Sequence, residues 1–598
     1  MLWDEEFYDP ESGIFLVDSY LDEAELSFGG YDVLVLWHAY PRIGFDERNQ
    51  FDFYRDIPGG LDALASIISR LHDRGVHAIL DYNPWDSGTR DEGVPDHVAL
   101  ASLIKAVDAD GVFLDTLANA SPLLRQELDK IRPGIVFQSE DIVPLAEIHD
   151  HLISWVQWPK NLEQDLLLRN KWVEPRQMQH LVRRWHEDHR DELFTAWLNG
   201  SGIVVWENVF GSWYPWNEPD KAVLESMQRV YRAIGWVFST DDWQPFAAAW
   251  DGSLSWSRWA TEGLIVWNLA NRGEDDVHAR VPLEEVPAGW LVFDGIRRRQ
   301  IQAGETSISV LARGIGCLIA VPASRRGDFD GGEWLTPDLH ASDLSLNPAS
   351  ELVVVRKKVG RSASAEQRPT MRHIEPGFRS QFAVFRSREC GDYRRANFVG
   401  QSYPNLNTDS VVDRSVRIEE LAVDFVPVSN AGFADFLRVT KYRPEDTHRF
   451  LDDWVDGSPA PGTQDDPVTW VDLNDARAYA EWVGCRLPTE DEWQVAIAEH
   501  AVERGRVPVW EWTESEHSDG HNRFVILKGG SDWQATTSDW YAESGPGDPE
   551  RSAKFLLFAP GSDRCSTIGF RCAMDVSSMD AASSHENSNS GGAPLRAD

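Results

Sequence analysis

Four apolar runs in the N-terminal part of the sequence each end in a carboxylate: Asp81 in AILDYN, Asp115 in GVFLDT, Glu140 in IVFQSED and Glu207 in GIVVWEN. Asp115 and Glu140 stand 25 positions apart. Two carboxyl groups across a cleft can divide acid and base work: one protonates a leaving oxygen, the other attacks or activates water. Asp115 is the candidate nucleophile or base and Glu140 the candidate acid. The same runs carry Trp37 and His38 (WHAYPR), Tyr82 and Trp85 (DYNPWD), Trp206 and, a little further on, Trp213. A flat aromatic face stacks on a sugar ring, and it fills a core equally well. With Asp81 and Glu207, these are the candidate substrate-binding residues. A single acid at a strand end is more simply a loop cap or an arginine's partner. Four together favour chemistry.

The elements that must position these residues alternate. Short β-branched runs at 13–19, 31–38, 76–82, 111–115, 134–139, 152–158, 202–209 and 235–238 are separated by helical patterns such as GLDALASIISRLHDR at 60–74. Strand–helix alternation with buried strands predicts a parallel sheet. Eight runs in about 245 residues is the size of a (β/α)8 barrel. A doubly wound open sheet is the alternative, but no Gly-rich phosphate loop follows an early strand. In a barrel, chemistry sits at the C-terminal strand ends, where these acids lie. On these residues the region loosely resembles the alpha-amylase and alpha-galactosidase clans of glycosidases. That resemblance implies a nucleophilic Asp on the fourth strand, matched here by Asp115. The sequence departs from the amylase pattern at Phe113, where an Arg is expected, and lacks the later His-Asp pair.

The bulk properties narrow the classes further. At 598 residues the chain exceeds one hydrophobic core. Its 97 acidic against 57 basic residues give a net charge of -40, which repels phosphate backbones and anionic lipid. Neither nucleic acid nor membrane is an expected partner; carbohydrate is. The first ten residues carry no basic and apolar leader pattern, so a cytoplasmic location is the expectation. The five cysteines (Cys317, Cys390, Cys485, Cys565, Cys572) make neither a disulfide framework nor a CxxC pair. The expected division is a barrel over 1–245, a β-sandwich over 246–322, a linker over 323–349, an irregular α+β domain over 350–577 and a disordered tail over 578–598. Sandwich strands are expected at 263–268, 289–293, 307–311 and 316–321. The oligomeric state is not legible.

The C-terminal third carries a set of ordered blocks: PVSNAGFADFLRVTKY at 427–442, VTWVDLNDARAYAEWVGCRLPTEDEWQV at 468–495, VWEWT at 509–513, LKGGS at 527–531 and GFRCAMD at 569–575. Together they resemble the formylglycine-generating enzyme (sulfatase-modifying factor) family, which includes the ergothioneine sulfoxide synthases. The resemblance implies a C-type-lectin-like fold. Much of the pattern is architectural on physical grounds: 472–483 is an amphipathic helix with Ala476, Tyr479, Ala480 and Val483 on one face, and Thr489 with Glu492 is a capping box.

Family members that oxidise a substrate cysteine carry two copper-binding cysteines shortly after the GGS block. Ungapped, those positions are Gln534 and Asp539 here, and neither supplies a thiolate. Cys565 and Cys572 come later, the second in a structural block, and a displaced pair is the weaker reading. The short connection between Trp493 and Trp510 lacks the insert that holds calcium in active relatives. Sulfoxide synthases bind iron in a helical bundle; the only suggestive cluster, His180, His186 and His189 in QHLVRRWHEDH, reads better as polar residues on a helix surface. No metal and no cofactor are therefore expected. The sequence supports a glycosidase-like barrel joined to a module without oxidase chemistry. Its rivals are a non-catalytic carbohydrate-binding or scaffold protein and a metal-dependent oxidase.

Overall fold

The computed structural model describes residues 2–38, 40, 42, 44–84, 90–157, 167–183, 188–209, 212–213, 215–247, 254–328, 355–356, 370–386, 409–518, 522–534 and 546–576. Trp85, His186, Cys390, Asp539, most of the expected linker and the expected tail lie outside the described residues.

The protein is multidomain. Its N-terminal part is built on a parallel half-barrel of six strands in chain order: β1 (Val33–Leu36), β2 (His77–Tyr82), β3 (Gly111–Leu114), β4 (Val136–Ser139), β5 (Ile153–Gln157) and β6 (Met178–Val182). A bridge from Leu181 to Ile203 adds a seventh parallel segment. Alternate side chains on a strand face opposite sides. One set, comprising Val33, Val35, Ile79, Phe113, Trp155, Val182, Val204 and Trp206, meets in a single interior cluster, so the sheet curves around it. The other set, including Leu36, Ala78, Leu80, Val112, Leu114 and Phe137, packs with the helices outside. Helix Gly60–Asp73 shows why: Leu64, Ile67, Ile68 and Leu71 fall on one face at helical spacing and are buried.

Two of the expected runs are not parallel strands. Residues 13–19 contain only Ile14–Phe15, paired antiparallel with Tyr8–Asp9 before helix Val17–Phe28 begins. Residues 235–238 lie in the 3-10 helix Gly235–Ser239. Conversely β6 occupies part of the segment read as a histidine-bearing helix. His180 lies within it, and His189 precedes helix Arg190–Asn199.

Behind the half-barrel lies an antiparallel six-stranded sheet from Trp243–Ala247 to Gly314–Pro322, with a two-stranded ribbon of Val277–Arg280 and Ser307–Val310. Trp197 joins the two units. Its indole N–H donates to the carbonyls of Leu269 and Gly316, each at 3.1 Å, and its own carbonyl accepts from Asn268 at 2.9 Å.

The C-terminal part combines an eight-stranded and a three-stranded sheet with helices Asn430–Thr440, Leu473–Trp482 and Glu490–Ala498. Thr489 and Glu492 form the expected capping box. The signature blocks hold one another. Arg486 grips Glu492 at 2.7 and 2.8 Å and Asp575 at 2.6 Å; Arg571 grips Glu511 at 2.6 and 2.7 Å. Gly529 is required twice over: its φ is +106°, and a Cβ there would meet the Trp493 ring at 3.1 Å. The segment after β1 reaches into this part, where fully buried Phe45 packs on Trp510 and Phe555.

Candidate active site at the strand ends

The inward parity that builds the interior cluster continues one step past it. Two residues after Ile79 comes Asp81, after Phe113 Asp115, after Gln138 Glu140 and after Trp155 Gln157. The structure brings these groups together at the C-terminal strand ends with His38 and Tyr40. The Tyr40 hydroxyl donates to Asp81 at 2.7 Å and also to Asp115. His38 Nδ1 accepts the Tyr40 backbone N–H at 3.2 Å, leaving its Nε2 proton facing Asp81 at 3.5 Å. Glu140 accepts from the Thr116 backbone N–H at 2.6 Å and from the Gln157 amide at 3.0 Å. Tyr40 and Thr116 have φ of 50° and 60°, the left-handed region that side chains seldom occupy. Backbone strain of this kind gathers at functional sites.

The electrostatics divide the pair. Burial pushes the Asp115 carboxyl well above the usual carboxylate range; the charges of Asp81 and Glu140 and a hydrogen bond between the Asp115 and Glu140 side chains push the same way. The Tyr40 hydrogen bond pulls the other way, and the balance disfavours ionisation of Asp115. Burial also pushes His38 down to about 3, so its imidazole is neutral. Asp81, His38 and Tyr40 are buried, Asp115 is 7% exposed, and Glu140 is half-buried beside exposed Thr116. Glu140 is thus the more exposed member of the pair.

These directions fix a pH dependence. In the unfolded chain Asp115 ionises near pH 4, whereas in the fold its ionisation is shifted upward. Its contribution to stability is thus greatest below about pH 4 and declines as pH rises, until Asp115 ionises in the fold as well. His38 contributes fully above about pH 6.5, and that contribution is lost as pH falls toward 3. Asp115→Asn is expected to be more stable than the parent at pH 7 and to lose that advantage toward pH 4. Urea titrations at both pH values check this; a pH-independent difference contradicts it.

Other candidates lie elsewhere. Tyr82 follows Asp81 and so faces the outer helices, its hydroxyl donating to Asp96 at 3.2 Å. Glu207 follows inward Trp206 and points away from the cluster, accepting the Trp216 N–H at 2.7 Å. Trp37 and Trp206 are inward, 5.2 Å apart between ring centroids, and form a floor under the acids with Phe113 and Trp155. Trp213 is placed only by its backbone, in a two-residue strand paired with Asn208–Val209. Tyr40 and Gln157 were missed. Each had a signal: Tyr40 stands two residues after His38, and Gln157 is a polar residue ending the run ISWVQ.

In the C-terminal part, Gln534 is exposed and carries an amide, which is no thiolate. Cys565 is fully buried, its thiol pushed up by burial, with the Arg48 guanidinium 2.9 Å from its Sγ. These residues do not fit a copper ion. Among the described residues no group of three His, Cys, Asp or Glu side chains is arranged to hold a metal. No helix there is long and apolar enough to cross a membrane.

Known proteins resemble the two halves separately. The family model described as sulfatase-modifying factor enzyme 1-like domain matches residues 356–506. A formylglycine-generating enzyme from Thermomonospora curvata is 30% identical over 191 residues, covering 26% of this chain and 61% of that protein. The inactive C-alpha-formylglycine-generating enzyme 2 of Bos taurus is 33% identical over 118 residues, covering 14% and 39%. The chain thus spans less than two thirds of either relative. The N-terminal half is similar in fold to the alpha-amylase of Geobacillus thermoleovorans, at 11% identity and a TM-score of 0.37, over 51% of this chain and 92% of that one. Behind a parallel half-barrel with its own acid cluster, the chain carries a C-terminal sulfatase-modifying factor enzyme 1-like domain.

Proposed function

We propose that the half-barrel cleaves glycosidic bonds by acid–base catalysis, and that the C-terminal domain is a module without oxidase chemistry. The observation that carries the first part is the buried Asp115, set at a strand end with Tyr40, Asp81 and Glu140, where burial and its acidic neighbours oppose its ionisation. A carboxylic acid kept neutral at pH 7 can give its proton to a leaving oxygen. Glu140, on the open side, is the carboxylate that attacks or activates water. The roles are thus the reverse of those expected from strand order. The two carboxyl groups stand on adjacent strand ends and act on each other electrostatically. A sugar would enter from the more exposed Glu140 side, with Tyr40 and His38 holding the Asp81–Asp115 side in place.

Nitrophenyl α- and β-glycosides of common hexoses and pentoses test this. Release of nitrophenol by the full chain from at least one of them is the expected result. No release from any, with saturable binding of the parent sugars, assigns the barrel to the carbohydrate-binding reading instead. For the C-terminal domain, the full chain loaded with copper is expected to leave a cysteine-containing peptide unchanged by mass spectrometry. Copper-dependent formylglycine in that peptide would overturn this part and point to Cys565 and Cys572.

A further inference from the structure

On the other side of the tryptophan floor from the acids, the half-barrel encloses a second space. Its volume is about 410 Å³, within the range of small-molecule sites. It begins at the N-terminal strand ends, at Val33, Ile153 and Met178, and reaches the floor rings. Among the described strands no ladder joins the seventh segment back to β1. At that gap Phe28 and Leu224, from helices Val17–Phe28 and Glu218–Ile234, complete the wall.

The described lining of this space is mostly apolar and aromatic, with Tyr20, Tyr31, Gln228 and Tyr231 among its polar members; Gln138 and His180 are the buried polar groups contributed by the strands themselves. Gln138, only 4% exposed, lines it, and its side-chain oxygen has no hydrogen-bond partner. A buried amide left unpaired costs about 1–3 kcal/mol, so a partner from outside the chain is favoured there. His180 also lines the space, and burial pushes it down to about 4, so it is a neutral ring. Its position depends on Gly202, where a Cβ would lie 2.7 Å from the imidazole. Among the described lining residues the one acidic side chain is exposed Asp32.

We propose that this cavity is a binding site for an uncharged, planar aromatic molecule bearing one hydrogen-bonding group, which pairs with Gln138. Aromatic and aliphatic walls favour a flat apolar body. Among the described lining residues no acidic or basic side chain other than exposed Asp32 and neutral His180 is present, which disfavours a charged ligand that would be desolvated without a partner. Gln138 fixes the orientation. The site is separated from the acids by the tryptophan floor and does not depend on the glycosidase reading.

Calorimetric titration of the full chain with naphthol and with naphthalene tests it. One molecule of each is expected to bind, naphthol the more tightly. Gln138→Leu, which keeps the volume apolar, is expected to weaken naphthol about tenfold, the size of one buried hydrogen bond, and to leave naphthalene unchanged. Val33→Phe, which fills the space, is expected to abolish both. If Gln138→Leu proves unfolded by circular dichroism, Val33→Phe alone decides. No saturable heat with the parent protein, or undiminished binding to folded Val33→Phe, would overturn the proposal.

Discussion

Glu140→Gln is expected to lower turnover of a cleaved glycoside by a factor on the order of 10²–10⁴, the range for an acid–base group. The substitution keeps shape and keeps an acceptor for the Thr116 N–H, so the loop after β3 should stay in place. What it removes is the carboxylate on the open side of the pair. Asp115→Asn is expected to lose a similar factor by a different route, because the amide has no proton to transfer. The stability effects should separate the two variants. Asp115→Asn relieves a buried carboxyl whose ionisation the fold opposes, so it gains stability at neutral pH while losing turnover. Parallel measurement of kcat and of urea midpoints checks both. Unchanged turnover of an alkyl glycoside in either variant contradicts the assignment.

The second large effect concerns the C-terminal domain, where the signature residues act as architecture. Arg571 is fully buried; it makes two hydrogen bonds to Glu511 and further ones to the carbonyls of Asp424 and Glu503. Arg571→Met leaves the Glu511 carboxylate buried without its partner. The expected cost is about 3–5 kcal/mol in the unfolding transition of that domain. The double variant Arg571→Met/Glu511→Leu removes both charges and is expected to recover most of the loss. Denaturant titration of the full chain reads both. A cost below about 1 kcal/mol for the single variant would mean that Arg571 is not the strut described.

What could be read in the sequence follows from periodicity. The placement of Asp81, Asp115 and Glu140 rests on a rule of two: an inward apolar residue, one outward residue, then the acid. The same rule excludes Tyr82 and Glu207, since each directly follows an inward residue, so their separation from the cluster was also present in the sequence. β6 was obscured because Gln179 and His180 interrupt its apolar character, and the following RRWHEDH suggested a helix. Runs 13–19 and 235–238 have strand-like composition, but tertiary contacts place them in a hairpin and a 3-10 turn. The contact between Asp115 and Glu140 could not have been read, because it depends on how strongly the sheet curves. The cavity was equally invisible. It arises where two helices, rather than a strand, cover the gap beside β1.

The central claim, that Asp115 supplies the proton and Glu140 the carboxylate, is tested most directly by leaving-group ability. A dinitrophenyl glycoside departs without protonation, whereas an alkyl glycoside requires it. Turnover of Asp115→Asn relative to the parent should therefore be near normal on the dinitrophenyl substrate and lower by about 10²-fold or more on the alkyl one. Glu140→Gln should fail on both. Equal losses for Asp115→Asn on the two substrates would contradict the account.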